Sequence, residues 1–333
     1  MKSVPLTRVR HADNFVIALH DKDMPSERLL DRAGLPAGIL HEAGDDGIIS
    51  ALSMLEFAEI SAHDTGIRDL GYWAGLVPLE GYGDFGRRVV GAPTLYGAIS
   101  TFCREVRGEC SEADYFLRHD APNAWFCHGA VVNPTGGQSQ HELYALMIIV
   151  QVIRLALGPD WFPARVRLQS TDDSCARANQ YLLGSNIEFG APITAVEFPL
   201  KSLATPLRRP ETRSSSNSPA INVDLPGDPL VALKELVGLY IRHSAKPTIG
   251  ALAEQAGVSS RTLQRFLKSR STRFNDLLDE ARFKLALPLL EDRSVAITDI
   301  ALELGYANLS HFSRAFKRIT GMSPKTYRQL LNN

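Results

Sequence analysis

Two helix-length stretches near the C-terminus carry side chains suited to hydrogen-bonding bases and phosphates. In one, Arg261, Gln264, Arg265 and Lys268 recur at steps that place them on one helical face; in the other, Ser310, Ser313, Arg314 and Lys317 do the same. Arg and Gln form paired hydrogen bonds to guanine and adenine edges, each giving about 1–3 kcal/mol of discrimination. Lys268, Lys317 and Arg318 suit phosphate, which positions a protein on DNA without specifying sequence. The second face is poorer in base readers, since Ser310 and Ser313 are short and Arg314 is its one strong donor. The opposite faces are apolar, with Leu263 and Leu267 in the first stretch and Phe312 and Phe316 in the second.

The elements that would present these faces have the same layout twice. A short amphipathic helix containing Leu252-Ala253 turns at Gly257 into the first polar-faced helix, and one containing Ile300-Ala301 turns at Gly305 into the second, about 49 residues later. Two short helices joined by a glycine turn, the second with one apolar and one basic face, form a helix-turn-helix. The pattern predicts units at about 248–268 and 297–318, with Ser260 at the start of the first polar-faced helix. Between them, Phe274 to Leu290 reads as a joining helix. Pro288 lies inside it and either bends it or ends it early.

The run Gly305 to Arg328 (GYANLSHFSRAFKRITGMSPKTYR) resembles the C-terminal signature of AraC/XylS-type transcription regulators. In that family one long helix joins two helix-turn-helix units. The resemblance covers roughly the last hundred residues. It implies that Asn308 and Leu309 enter the groove; Leu309 stands where a polar residue is often found, so it either meets a thymine methyl or packs. The preceding two hundred residues resemble a subgroup whose N-terminal domain is called arabinose-binding. The implied function is sequence-specific transcription regulation, as an activator, with double-stranded promoter DNA and RNA polymerase as partners. The implied architecture lets one chain read an asymmetric site with two helices about one DNA turn apart.

Charge agrees with that division. The chain of 333 residues has a formal net charge of −1. From Asp228 onward it holds 16 Lys and Arg against 10 Asp and Glu, a net of +6, leaving −7 on the remainder. A basic C-terminal module is what phosphate neutralisation requires. The N-terminus has no apolar targeting run, and the longest apolar run, Ala145 to Leu157, is short for a bilayer and carries Gln151 and Arg154. A cytoplasmic protein with no membrane partner is expected. The four cysteines show no CxxC pair or zinc spacing, so reduced thiols are expected and no metal or cofactor is called for.

A Ser- and Pro-rich stretch from Arg208 to Pro229 reads as a linker. It divides the chain into an α+β regulatory domain (1–207), a linker (208–227) and an all-α DNA-binding domain (228–333). The helix inventory after the linker is complete, so the last domain is expected to be modular. Before the linker, helices are predicted at 26–33, 50–65, 140–157 and 172–183, and extended segments at 110–119, 124–132, 164–169 and 193–198. The 140–157 helix has apolar steps of three and four, fitting either a core helix or a dimer-forming surface.

Chemistry in this domain has few handles. Phe126-Cys127-His128-Gly129 superficially resembles a nucleophile elbow, but no helix pattern follows it, and His141-Glu142 lacks the second His of a zinc-protease helix. No catalytic or metal residue is assigned. Trp73, Tyr96, Trp125, Phe126 and His128 are the candidates for an effector pocket, although aromatic residues also fill cores. The expected function is control by a small-molecule effector. The alternatives are ligand-independent control by homodimerisation or protein partners, and an enzyme with a DNA-binding appendage.

Overall fold

The computed structural model describes residues 1–35, 38, 40, 47–129, 139–171, 182, 184–207, 224–243 and 247–331. Most of the expected linker and the helix expected at 172–183 lie outside these residues.

The N-terminal half is built around α7 (Ser139–Leu157), whose side chains from Glu142 to Val150 are buried on every face. By length and composition this helix could cross a membrane, yet it lies inside the domain and serves as a core helix. Its polar residues are each given work. Glu142 accepts hydrogen bonds from the backbone of Gln169 (2.6 Å) and Ser170 (2.9 Å), and Gln151 Nε2 donates to the carbonyls of Gly75 (2.6 Å) and Val77 (3.0 Å). Helices α1 (Val9–His20), α2 (Glu27–Arg32), α3 (Ala51–Thr65), α4 (Leu70–Ala74), α5 (Gly83–Val90) and α6 (Leu95–Glu105) complete the helical layer. Ser50 caps α3 and Thr94 caps α6 by accepting from the backbone N–H three residues on.

Helix α4 crosses α7 at glycines. A Cβ on Gly71 would lie 1.9 Å from the carbonyl oxygen of Gln140, and one on Gly75 would lie 2.6 Å from the Met147 Cβ. Only glycine permits that approach.

The main sheet has five strands in the order β3-β4-β7-β5-β6. The hairpin β3 (Tyr115–Asp120) and β4 (Asn123–His128) turns through Ala121 and Pro122, between the two segments expected to be extended. Strand β7 (Thr194–Pro199) pairs antiparallel to β4 and to β5 (Arg165–Arg167), and β6 (Asn186–Glu188) runs parallel to β5. A second sheet pairs β1 (Leu6–Arg8) with β2 (Ile48–Ser50).

The C-terminal half is helical: α8 (Pro229–His243), α9 (Ile249–Gln255), α10 (Ser260–Ser269), α11 (Phe274–Glu291), α12 (Ile297–Glu303), α13 (Leu309–Thr320) and α14 (Pro324–Leu330). Pro229 opens the first of these helices. Helix α11 continues through Pro288 to Glu291, so the early ending does not occur.

The two halves pack directly against each other. Val4 and Leu6 are buried in one apolar cluster with Leu233, Leu236, Val237 and Leu252. Ser50 Oγ donates to the Gln255 carbonyl (2.8 Å), and the Tyr240 hydroxyl donates to the Gly34 carbonyl. The helical domain is thus joined to the rest by a core, which the expectation of a merely tethered module did not include.

Adding one methyl group separates the two kinds of glycine here. Gly71→Ala should cost at least about 2 kcal/mol by overpacking against α7, whereas Gly238→Ala, in α8 with no atom within 4 Å of the new Cβ, should gain up to about 1 kcal/mol of helix propensity. Urea unfolding of the two variants would show a fall in midpoint for the first and a rise for the second.

Candidate DNA-reading faces and effector cavity

Helix α10 begins at Ser259, whose side chain accepts from the Thr262 N–H (3.2 Å). Its apolar face, Leu263 and Leu267, packs in the same cluster as Leu277, Leu278 and Ala281 of α11. Arg261, Gln264, Arg265 and Lys268 are left exposed together, with Ser260 half-buried at the first turn. Helix α13 repeats the arrangement: Phe312 and Phe316 pack with Ala286 and Leu290 of α11 and Ile300 and Ala301 of α12. Ser310, Arg314 and Lys317 are exposed and Ser313 is half-buried. Gly257 (φ +66°) and Gly305 (φ +75°) make the left-handed turns before the two helices.

Three residues behave more specifically than their types indicate. The Asn308 side chain accepts from the His311 N–H (3.0 Å), so its oxygen caps α13, and the residue is exposed. Leu309 follows at 38% exposure. Arg318 forms an ion pair with Asp279 of α11, bracing the helix from behind its outer face. His311, exposed beside Ser310 and one turn before Arg314, was not among the residues proposed from sequence.

The N-terminal half encloses a cavity bounded by α1, α3, α7, β1 and the sheet, with a volume of about 50 Å³. Its apolar wall includes Met54, Leu55, Leu79, Phe85, Phe102 and Ile148. Its polar wall is a buried chain: Tyr82 Oη donates to Tyr144 Oη (3.0 Å), Asn14 Nδ2 donates to the same oxygen (3.0 Å), and His11 Nδ1 lies 2.8 Å from it. Behind them Arg10 donates to the Tyr82 carbonyl (2.5 Å) and faces Glu109 at 3.5 Å. His128 lies against Tyr115, ring centroids 4.4 Å apart, and its Nδ1 makes no hydrogen bond.

Burial sets the ionisation of this wall. Desolvation, helped by the Arg10 charge, pushes His11 down to about 3; desolvation also takes His128 to about 3 and His141 to about 4. Burial raises the phenols of Tyr82, Tyr115 and Tyr144. All these groups are neutral at pH 7.

Of the five residues proposed from sequence for a pocket, His128 lines this cavity. Phe126 lies one layer behind, its ring 5.5 Å from that of Phe102. Trp125 is on the opposite face of the sheet, packed with Cys127 and Ala195 and covered by Arg165 and Arg167. Trp73 and Tyr96 are surface residues, 36% and 57% exposed. Cys127 points away from His128, as successive strand residues must, and burial pushes its thiol up to about 11. Among the described residues no group of three or more His, Cys, Asp or Glu could hold a metal ion.

Two family matches cover most of the chain. Residues 252–330 match the helix-turn-helix domain family, and residues 24–207 match the arabinose-binding N-terminal domain of AraC transcription regulators. The chain belongs to the AraC family of transcription regulators. It is similar to the HTH-type transcriptional regulator VirS of Mycobacterium tuberculosis, 27% identical over 316 residues that cover 90% of this chain and 89% of that one. It is also similar to the ornithine utilization regulator of Pseudomonas aeruginosa (29% over 203 residues, 59% of each chain) and, over the helical domain, to the transcriptional activator CfaD of Escherichia coli (34% over 84 residues, 25% of this chain and 32% of that one). This AraC-family chain is therefore a DNA-binding regulator with an effector-binding type of N-terminal domain, and the enzyme reading is set aside.

The buried histidines give it a pH dependence with a definite sign. Each has an unfolded value of 6.5 and a folded value of about 3 to 4, so its stability is complete above pH 6.5 and is lost as pH falls toward 4. His128→Phe should flatten the unfolding free energy against pH by about 1.4 kcal/mol per unit between pH 6 and 4, one proton's worth. Chemical denaturation at several pH values measures the slope, and an unchanged slope would show that His128 is already protonated in the fold.

Proposed function

We propose that this regulator reads an asymmetric promoter site with α10 and α13, two helix-turn-helix units on one chain inserting into successive major-groove faces. The assignment divides the protein into a sensing domain (1–207), a linker (208–227) and a reading domain (228–333), with units at about 248–268 and 297–318. The observation that carries it is the repeated geometry: two exposed polar faces, each backed by an apolar face packed on the same α11. Arg261, Gln264, Arg265 and Arg314 are assigned to base edges, with Ser260, Asn308, Leu309, Ser310 and Ser313 lining the approach. Lys268 and Lys317 are assigned to phosphate, and Arg318 to phosphate and to bracing α13. Similarity to the transcriptional activator CfaD supports activation, which would place RNA polymerase among the partners, and a DNA target is consistent with a cytoplasmic setting.

Effector control is favoured over control by homodimerisation, because the cavity shares its walls with the contact to the reading domain. Thr7 and Ala51 face the cavity, while their neighbours Leu6 and Ser50 touch α8 and α9. A ligand that displaces β1 or α3 would bias the helical domain without passing through the linker.

Arg265→Ala and Arg314→Ala should each weaken the cognate site by about 1–3 kcal/mol while leaving random DNA nearly unaffected. Lys268→Ala should weaken both alike and reduce the log–log salt slope by about 1. Gel-shift titrations at several salt concentrations distinguish these patterns, and equal losses on both DNAs for the arginine variants would overturn the assignment of readers.

A further inference from the structure

The cavity's chemistry goes further than the sensing role on which it rests. We propose that it takes a small, uncharged, largely apolar molecule bearing one hydroxyl or carbonyl group, hydrogen-bonded to His128 Nδ1. Among the described residues that line it there is no Lys, Arg, Asp or Glu. Several polar groups that line it are committed: Tyr82 and His11, together with Asn14 from outside the lining, converge on the Tyr144 hydroxyl, and Thr7 Oγ1 donates to the Glu109 carbonyl (3.2 Å). Two lining histidines keep a buried ring nitrogen without a hydrogen bond, His11 Nε2 and His128 Nδ1; His11 Nε2 faces the Glu109 carboxylate at 3.8 Å, which leaves His128 Nδ1 with no polar group set against it among the described residues. Buried polar atoms in native folds are nearly always paired, so such an atom on a cavity wall marks a position for a ligand group.

The same wall rejects other classes. An anion would enter with no cation to meet it, since burial keeps His11, His128 and His141 neutral, and an unpaired charge away from water is strongly disfavoured. A sugar, despite the name of the N-terminal family, would bring several hydroxyls to a wall with few uncommitted partners. Size is a further filter. At 10–15 Å³ per water-sized sphere, 50 Å³ holds ~4 such atoms. A six-membered ring therefore needs a side chain to yield, and the flexible Met54 is the one suited to it.

Cyclohexanol is the probe, with cyclohexanecarboxylate and L-arabinose as comparators, titrated into the full chain at pH 7 by calorimetry and thermal unfolding. Cyclohexanol should bind and raise Tm, the other two should bind at least tenfold more weakly, and the Met54 methyl resonance of the unaltered protein should shift with cyclohexanol. His128→Phe should weaken cyclohexanol five- to tenfold. Ala113→Leu, which adds bulk to the cavity lining, should abolish binding, and cooperative urea unfolding would show that both variants fold. The proposal is overturned by tighter binding of the carboxylate or the sugar, by no binding of cyclohexanol, or by equal binding to the unaltered chain and both variants. Tighter binding of a comparator that is lost in Ala113→Leu would leave effector control standing with a different ligand class. Cyclohexanol binding with no change in promoter affinity would support the ligand class and count against effector control.

Discussion

Helix α7 has almost no solvent face, and the N-terminal domain is organised by what it takes to cover such a helix on all sides. Its apolar side chains need partners from α1, α3, α4, α6 and the sheet at once, and its polar ones need backbone partners inside the protein. Gln140 and Gln151 hold the two ends of α4, Glu142 binds the backbone after β5 and Tyr144 binds α1, so a single buried helix sets the positions of its surroundings by hydrogen bonds as well as by packing. Where the covering is incomplete, around Tyr144, the cavity remains. Its polarity follows from the same residue, because a phenol buried in an apolar helix draws His11, Asn14 and Tyr82 toward it.

The reading domain was legible in the sequence because its helices stand in water on one side. A polar stripe at steps of three and four, an apolar stripe opposite and a glycine before each helix are local signals, and the observed α10, α11 and α13 follow them closely. The N-terminal domain hid its pattern for physical reasons. Helix α1 buries Arg10, His11 and Asn14, so polarity there does not mark the outside. Gly71 and Gly75 look like helix breakers but are contact points, and β1 and β2 are only three residues long. The cavity joins residues more than a hundred positions apart, which no single-sequence period reports. One signal was available: alternation along β4 puts Phe126 and His128 on one face and Trp125 on the other, so the aromatic candidates could not all have faced one pocket.

Coupling between ligand and DNA has a short route in this fold. The Ser50 hydroxyl caps α3, which carries Ala51, Met54 and Leu55 into the cavity wall, and it also donates to the carbonyl of Gln255 at the end of α9. Leu52 approaches Gly257, whose turn leads into α10. One turn of helix thus separates the cavity from the hinge of a reading unit.

The placement of Val4 and Leu6 in the core of the helical domain also fixes an order of events during synthesis. Apart from Met1 and Ile48, their partners in this cluster begin at Leu225, more than two hundred residues later, so at ribosomal rates of about 5–20 residues per second these two side chains wait roughly ten to forty seconds for full cover. Strand β1 can pair with β2 in that interval, but its apolar outer face has to wait for the helical domain. Val4 and Leu6 are therefore enclosed only once the helical domain, more than two hundred residues further on, is in place.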